Sequence, residues 1–205
     1  MGMFLADNIA KSYHGRPVLK GVRLCLGPGQ CLGIVGDNGS GKSTLLKILA
    51  QIIPADSGDI RYRNRSVLGD RKFLRKHLGY VPQGSDLLPE LTARQQIRLW
   101  QSACDCKNPV PEEVSRALGL EELMDVQIGQ MSGGMCRRVS IAMALSTDPE
   151  ILIMDEATNG LDVAYRTALL DYLENWLSRG GRMIWCSHLP EELDRLCGAR
   201  LNLSE

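Results

Sequence analysis

Gly36-Asp37-Asn38-Gly39-Ser40-Gly41-Lys42-Ser43 is the stretch on which the fold turns. A short apolar run at 31–35, Cys-Leu-Gly-Ile-Val, leads into it and predicts a buried strand. Leu45, Leu46, Ile48, Leu49 and Ile52 follow it at helical spacing, which predicts a helix over 42–53 stopped by Pro54. Strand, glycine-rich loop and helix form the context in which G-x-x-x-x-G-K-[ST] cradles phosphate. Gly36, Gly39 and Gly41 let backbone N–H groups turn inward and approach phosphate oxygens closely. Asp37, Asn38 and Ser40 lie between them, Thr44 follows, and the helix start adds its positive dipole end. The motif implies that Lys42 reaches the β and γ phosphates and that the Ser43 hydroxyl ligates Mg²⁺. By itself this loop indicates a nucleoside triphosphate and nothing narrower.

Outward from the loop, short apolar runs alternate with helical patterns, which favours an α/β domain with a largely parallel sheet. Val22, Leu24 and Leu26 alternate with Arg23 and Cys25 as in a half-buried strand. Residues 151–154 and 182–187 read as further strands, separated by a helix that Asp162 caps and Gly180-Gly181 ends. Pro190-Glu191-Glu192 resembles a first helical turn. Residues from about 88 to 147 break the alternation and read as an inserted helical lobe. Within it Thr92 and Gln95 form a capping-box pattern, Pro111-Glu112-Glu113 opens a second helix ending near Gly119, and 135–145 form a third.

Ile151-Leu152-Ile153-Met154 runs into two acids, Asp155 and Glu156. An unpaired carboxylate is costly to bury, so two at a strand's carboxyl end point to a cation or a reacting water. Asp155 is expected to hold Mg²⁺, and Glu156 to orient and deprotonate the attacking water.

Beside these motifs, Met131-Ser132-Gly133-Gly134-Met135 resembles the signature of the ABC-type ATPases, the ATP-binding subunits of ABC transporters. The resemblance covers the whole chain, 1–205. It implies a single ATPase domain: a phosphate-loop core with a mainly parallel sheet, N-terminal antiparallel β strands and an inserted α-helical lobe at about 88–147. It implies that Ser132, Gly133 and Gly134 face the γ-phosphate of ATP on the opposite subunit. Gln83 resembles the glutamine that touches Mg²⁺ and the attacking water, His188 the switch histidine, and Asp162 the loop crossing the dimer seam. Tyr13 resembles the aromatic that stacks on adenine, with Val18 beside it. The catalytic set implied is Lys42, Gln83, Glu156 and His188, and the metal set is Ser43, Gln83 and Asp155. Met131, Met135, Ala157, Asn159 and Gln51 depart from the family pattern. Met135 in particular lacks an amide for contact across the dimer.

The implied partners are a second ATP-binding subunit and a polytopic membrane subunit. The protein is then expected to be cytoplasmic, peripheral on the inner face of the membrane. No apolar stretch is long enough to span a bilayer, and Met1–Ala10 lacks the basic region of a signal peptide. Lys and Arg total 24 against 24 Asp and Glu, which gives no support to nucleic-acid binding. The seven cysteines are scattered and, in the cytosol, are expected to be reduced. A soluble ABC ATPase of iron–sulfur cluster assembly would share every motif and stays open as an alternative. Translation-factor and chromosome-maintenance types would need a second cassette or a long coiled-coil insertion, which this sequence lacks.

Overall fold

In a computed structural model describing residues 2–84 and 86–204, the alternating apolar runs become two sheets. The first is antiparallel, in the order β2-β1-β4-β5, from β1 (Phe4–Tyr13), β2 (Arg16–Leu26), β4 (Ser57–Tyr62) and β5 (Arg65–Ser66). The second is parallel, in the order β6-β7-β8-β3-β9, from β3 (Cys31–Val35), β6 (Leu78–Val81), β7 (Ile151–Asp155), β8 (Arg182–Cys186) and β9 (Ala199–Asn202).

The parallel sheet is covered on both faces, as parallel sheets require. Ile151, Ile153 and Ile184 pack with α1 (Lys42–Leu49) and with Phe4, Ile9 and Ile60 of the antiparallel sheet. Their neighbours Leu152, Met154, Met183 and Trp185 turn to the other side. There they meet Val139 and Ile141 of α5 (Gly133–Leu145), and Leu169, Leu173 and Trp176 of α6 (Val163–Ser178). The period-2 alternation of a strand thus serves two cores at once. Between β6 and β7 the chain carries α3 (Ala93–Ala103), α4 (Glu112–Ala117), a 3₁₀ turn at Ile128–Gln130 and α5; α2 (Arg71–His77) precedes β6 and α7 (Pro190–Leu196) precedes β9. The Thr92–Gln95 capping box at α3 is formed in both directions.

Two expectations are corrected. The helix after the phosphate loop ends at Leu49, short of Ile53. Gln51 takes a left-handed φ of 52°, the Gln51 N–H bonds the Ile48 carbonyl and the Ile52 N–H bonds the Lys47 carbonyl, closing a Schellman turn before Pro54 is reached. The cysteines are not all thiols: Cys31 at the start of β3 is paired with Cys197 after α7, with Cα atoms 4.4 Å apart. Their separation of 166 residues hid the pairing from any spacing pattern.

Because β6, β7, β8 and β3 are parallel, their carboxyl ends share one edge. Gln83, Asp155 and Glu156, His188 and Gly36 all lie at or just beyond those ends.

Candidate nucleotide site

The loop after β3 is built on backbone angles that side chains resist. Gly36, Gly39 and Gly41 have φ of 145°, 84° and 96°. A Cβ on Gly41 would also meet Val18 Cγ1 at 2.8 Å, so Val18 presses directly on the loop. The Lys42 ammonium donates to the carbonyls of Gly36 at 2.7 Å and Asp37 at 2.9 Å, folded along the loop from within. The Asp37 N–H donates to Ser204 Oγ at 2.8 Å, a contact with the far end of the chain. A cavity of about 610 Å³ opens beside the loop, lined by Val18, Asp37, Asn38, Gly39 and Ser40 among others. Tyr13 stands exposed at the end of β1, its ring under the Lys11 ammonium.

Asp155 is 1% exposed, and neither carboxylate oxygen has a hydrogen-bond partner. Burial holds its carboxyl above the ordinary range. The neighbouring Ser43 hydroxyl pulls the other way, Glu156 reinforces the rise, and Lys47 and Lys42 oppose it. Two bare oxygens beside a serine hydroxyl are the hard donor set that Mg²⁺ takes, so the residues fit that ion. Cys186, Asp155's register partner on β8, also brings its sulfur near both carboxylates. Burial pushes its thiol up to about 12, which keeps it protonated and out of a hard-ion site.

Glu156 follows in a left-handed conformation, φ 50°, which is uncommon for a side-chain-bearing residue and clusters at functional sites. Its N–H bonds the Cys186 carbonyl at 2.8 Å. Three side chains converge on its carboxylate. His188 Nε2 lies 2.6 Å from Oε1, and Gln83 Nε2 donates to Oε2 at 2.8 Å. Asn159 Nδ2 also donates to Oε2, at 3.0 Å. The structure therefore joins Gln83, Glu156 and His188 in one cluster beside Asp155, Ser43 and Lys42.

Ser132, Gly133, Gly134 and Asp162 form a second group. Ser132 caps α5, accepting from the Met135 N–H at 3.3 Å, and Asp162 caps α6, accepting from the Tyr165 N–H at 3.0 Å. A Cβ on Gly134 would meet the Gly160 carbonyl at 2.7 Å, which brings the two caps together, whereas Gly133 faces open space. Met131 and Met135 pack against the core below, an apolar use for two positions that depart from the family pattern.

Sequence reasoning missed Asn159 as a Glu156 donor. Its signal was the spacing of three residues, closed here by a turn from the Asn159 N–H to the Glu156 carbonyl. It also missed Arg137, which bonds the Pro82 and Gln83 carbonyls, and Glu192, which accepts from Thr158 and Ser187.

A glycine loop and lysine beneath β3, with a bare carboxylate at the end of a strand in the same sheet, define a phosphate-loop nucleotide-binding protein. Within that class, the chain belongs to the ABC transporter family, whose model matches residues 19–159. Among its relatives, the Nod factor export ATP-binding protein I of Paraburkholderia xenovorans (strain LB400) is 37% identical over 196 residues, covering 93% of this chain and 64% of that protein. The protein of the same name from Rhizobium etli is 34% identical over 195 residues, covering 93% of this chain and 62% of that one. The chain thus spans less than two thirds of the length of these relatives. Among solved structures, the dimeric structure of a bacterial ABC transporter cassette aligns with a TM-score of 0.86 at 26% identity, over 98% of this chain and 95% of that one. An ATP-binding subunit of an ABC transporter aligns with a TM-score of 0.89 at 24% identity, over 98% and 85%.

Proposed function

We propose that this chain binds and hydrolyses ATP and, paired with a second ATP-binding subunit, drives substrate movement by a polytopic membrane subunit from the cytoplasmic face of the membrane. The observation that carries the reading is the convergence of Gln83 and His188 on the Glu156 carboxylate beside the bare Asp155.

The chain's residues divide the work. Amides of the loop from Gly36 to Ser43, with Thr44 after it, hold the phosphates, and Lys42 leaves its two carbonyl partners to meet the β and γ oxygens. Ser43, Asp155 and Gln83 would hold Mg²⁺, which supplies charge neutralisation on the phosphates when bound. Glu156 takes the proton of the attacking water as its oxygen bonds to the γ-phosphorus and the bond to the β–γ bridging oxygen breaks. His188 and Gln83 hold that carboxylate in place, with His188 turned to the γ-phosphate and Gln83 to the attacking water. Tyr13 and Val18 take the adenine. In a dimer, Ser132, Gly133 and Gly134 of one subunit face the γ-phosphate held by the other, and the open space at Gly133 supports this. Asp162 lies on the loop along the seam. The membrane partner docks beside Gln83 and α3, where Leu88 and Leu99 are 46% and 51% exposed. The names of the relatives support export over cluster assembly.

The test is Glu156→Gln. The variant is expected to bind ATP, lose nearly all phosphate release and accumulate as an ATP-bound dimer. Normal turnover would remove Glu156 from its role.

A further inference from the structure

Glu192 lies on α7, four residues beyond His188, and is 1% exposed. Its Oε2 accepts two hydroxyl hydrogen bonds, from Thr158 at 2.9 Å and from Ser187 at 2.5 Å. Its Oε1 is buried with no hydrogen-bond partner. A carboxylate in such a place is costly to bury, and an apolar residue would fill α7's inner face without that cost.

The two hydroxyls identify what the carboxylate is for. Thr158 stands two residues after Glu156, and Ser187 stands immediately before His188. Both lie past the ends of their strands, beyond the ladder that joins β7 to β8. One buried oxygen therefore ties together the two loops whose neighbouring side chains meet at Glu156 and His188, 2.6 Å apart. Ser187 is braced again by the Leu189 N–H, which donates to its Oγ at 3.0 Å. We infer that Glu192 is a positioning residue for hydrolysis, setting the distance and angle between Glu156 and His188 without touching nucleotide. The inference rests on the reading in which Glu156 activates water.

The test compares Glu192→Ala with Glu192→Gln in the purified full chain. Misplacing a reacting group by about 1 Å costs on the order of 10²-fold, so Glu192→Ala is expected to lower kcat by roughly 10- to 100-fold. Because no ATP contact is lost, KM for ATP stays within about threefold. Glu192→Gln keeps a carbonyl oxygen able to accept both hydroxyls, and it recovers most of the rate. A second readout needs no nucleotide. Only three histidines are present, so the His188 imidazole can be followed by NMR. Its resonances move in Glu192→Ala and hold in Glu192→Gln. Should Glu192→Ala fold poorly, Thr158→Val with Ser187→Ala reaches the same oxygen from the other side. This pair should reproduce the kcat loss, and adding Glu192→Gln should cost little more. An unchanged kcat in Glu192→Ala, a rise in KM with kcat kept, or Glu192→Gln as impaired as Glu192→Ala overturns the inference. Glu156→Gln run alongside separates the two layers. If it is inactive while Glu192→Ala is normal, only the role of Glu192 falls. If it turns over normally, the water-activating reading falls and takes this inference with it.

Discussion

The Arg137 guanidinium, one turn into α5, donates a hydrogen bond to the Gln83 carbonyl while the Gln83 side chain donates to Glu156. A second arm of the guanidinium donates to the Pro82 carbonyl at 2.6 Å. Arg137 is 6% exposed. Burial lowers its basicity, and the charges of Asp155 and Glu156 oppose that. One residue thus links the helix that Ser132 caps to the loop that reaches the Glu156 carboxylate. Lysine keeps the charge but not the two-armed fork. Arg137→Lys is therefore expected to leave ATP binding intact, to lower stability by about 1–3 kcal/mol through an unsatisfied carbonyl, and to slow hydrolysis. Urea unfolding and phosphate release measure the two effects, and parental values for both would show that the fork is dispensable.

Asp155 has a different consequence, because the burial of its charge outweighs what the Ser43 hydroxyl and the Lys47 and Lys42 charges return. Burial raises its carboxyl above the ordinary 3.8, so ionising it costs more in the folded chain than in the unfolded one. Stability from this group is present at pH below 3.8 and is lost as pH rises through the folded value. Asp155→Asn removes that loss. Near neutral pH and without nucleotide, the variant is expected to melt higher than the parent. The gap should close as the solution is acidified, since the parent's carboxyl is then neutral in both states. The same variant should lose the Mg²⁺ dependence of ATP affinity, measured by titration with and without chelator.

The fold was legible where the code is local. The strand at Cys31–Val35, the Thr92–Gln95 box and the Asp162 cap all follow from spacing within a few residues. The carboxyl-end clustering of Lys42, Asp155 and His188 was legible too, because motif order in a parallel sheet fixes which edge each loop occupies. What stayed hidden depends on partners far apart in the chain. Arg137 meets carbonyls 54 and 55 residues away, and Glu192 meets Thr158 across 34. No periodicity encodes such pairs. A buried charge on an otherwise apolar helix face was the available sign, and it does not name its partner.

Gln51 shows how one such departure is accommodated. Its φ of 52° suits glycine, yet its side chain works: Nε2 donates to the Val67 carbonyl at 2.6 Å and Oε1 accepts from the Gly69 N–H at 2.9 Å. Gln51→Gly relieves the backbone by about 1 kcal/mol and forfeits two hydrogen bonds worth about 1 kcal/mol each. Gln51→Ala forfeits the bonds and keeps the strain. The expected order of urea midpoints is parent, then Gly, then Ala, with Gly and Ala separated by about 1 kcal/mol. A glycine variant more stable than the parent would show that the side chain's two bonds contribute less than the strain.

The Cys31–Cys197 pair separates stability from chemistry. Cys25, Cys104, Cys106, Cys136 and Cys186 are free, so alkylation of the denatured chain should modify these five before reduction and all seven cysteines after it. Seven modified residues before reduction would mean the pair is open in solution. A cross-link closing 166 residues restricts the unfolded chain strongly, so reduction is expected to lower unfolding free energy on the order of 2–4 kcal/mol. The cross-link holds the carboxyl end of α7, whereas Glu192 makes its bonds from the first turn. Reduction should therefore shift the melting temperature and leave kcat for ATP hydrolysis near its oxidised value, provided the assay stays well below the reduced protein's Tm. A fall in kcat that tracks reduction under those conditions would show that the anchor at Cys197 reaches through α7 to the Glu156–His188 pair.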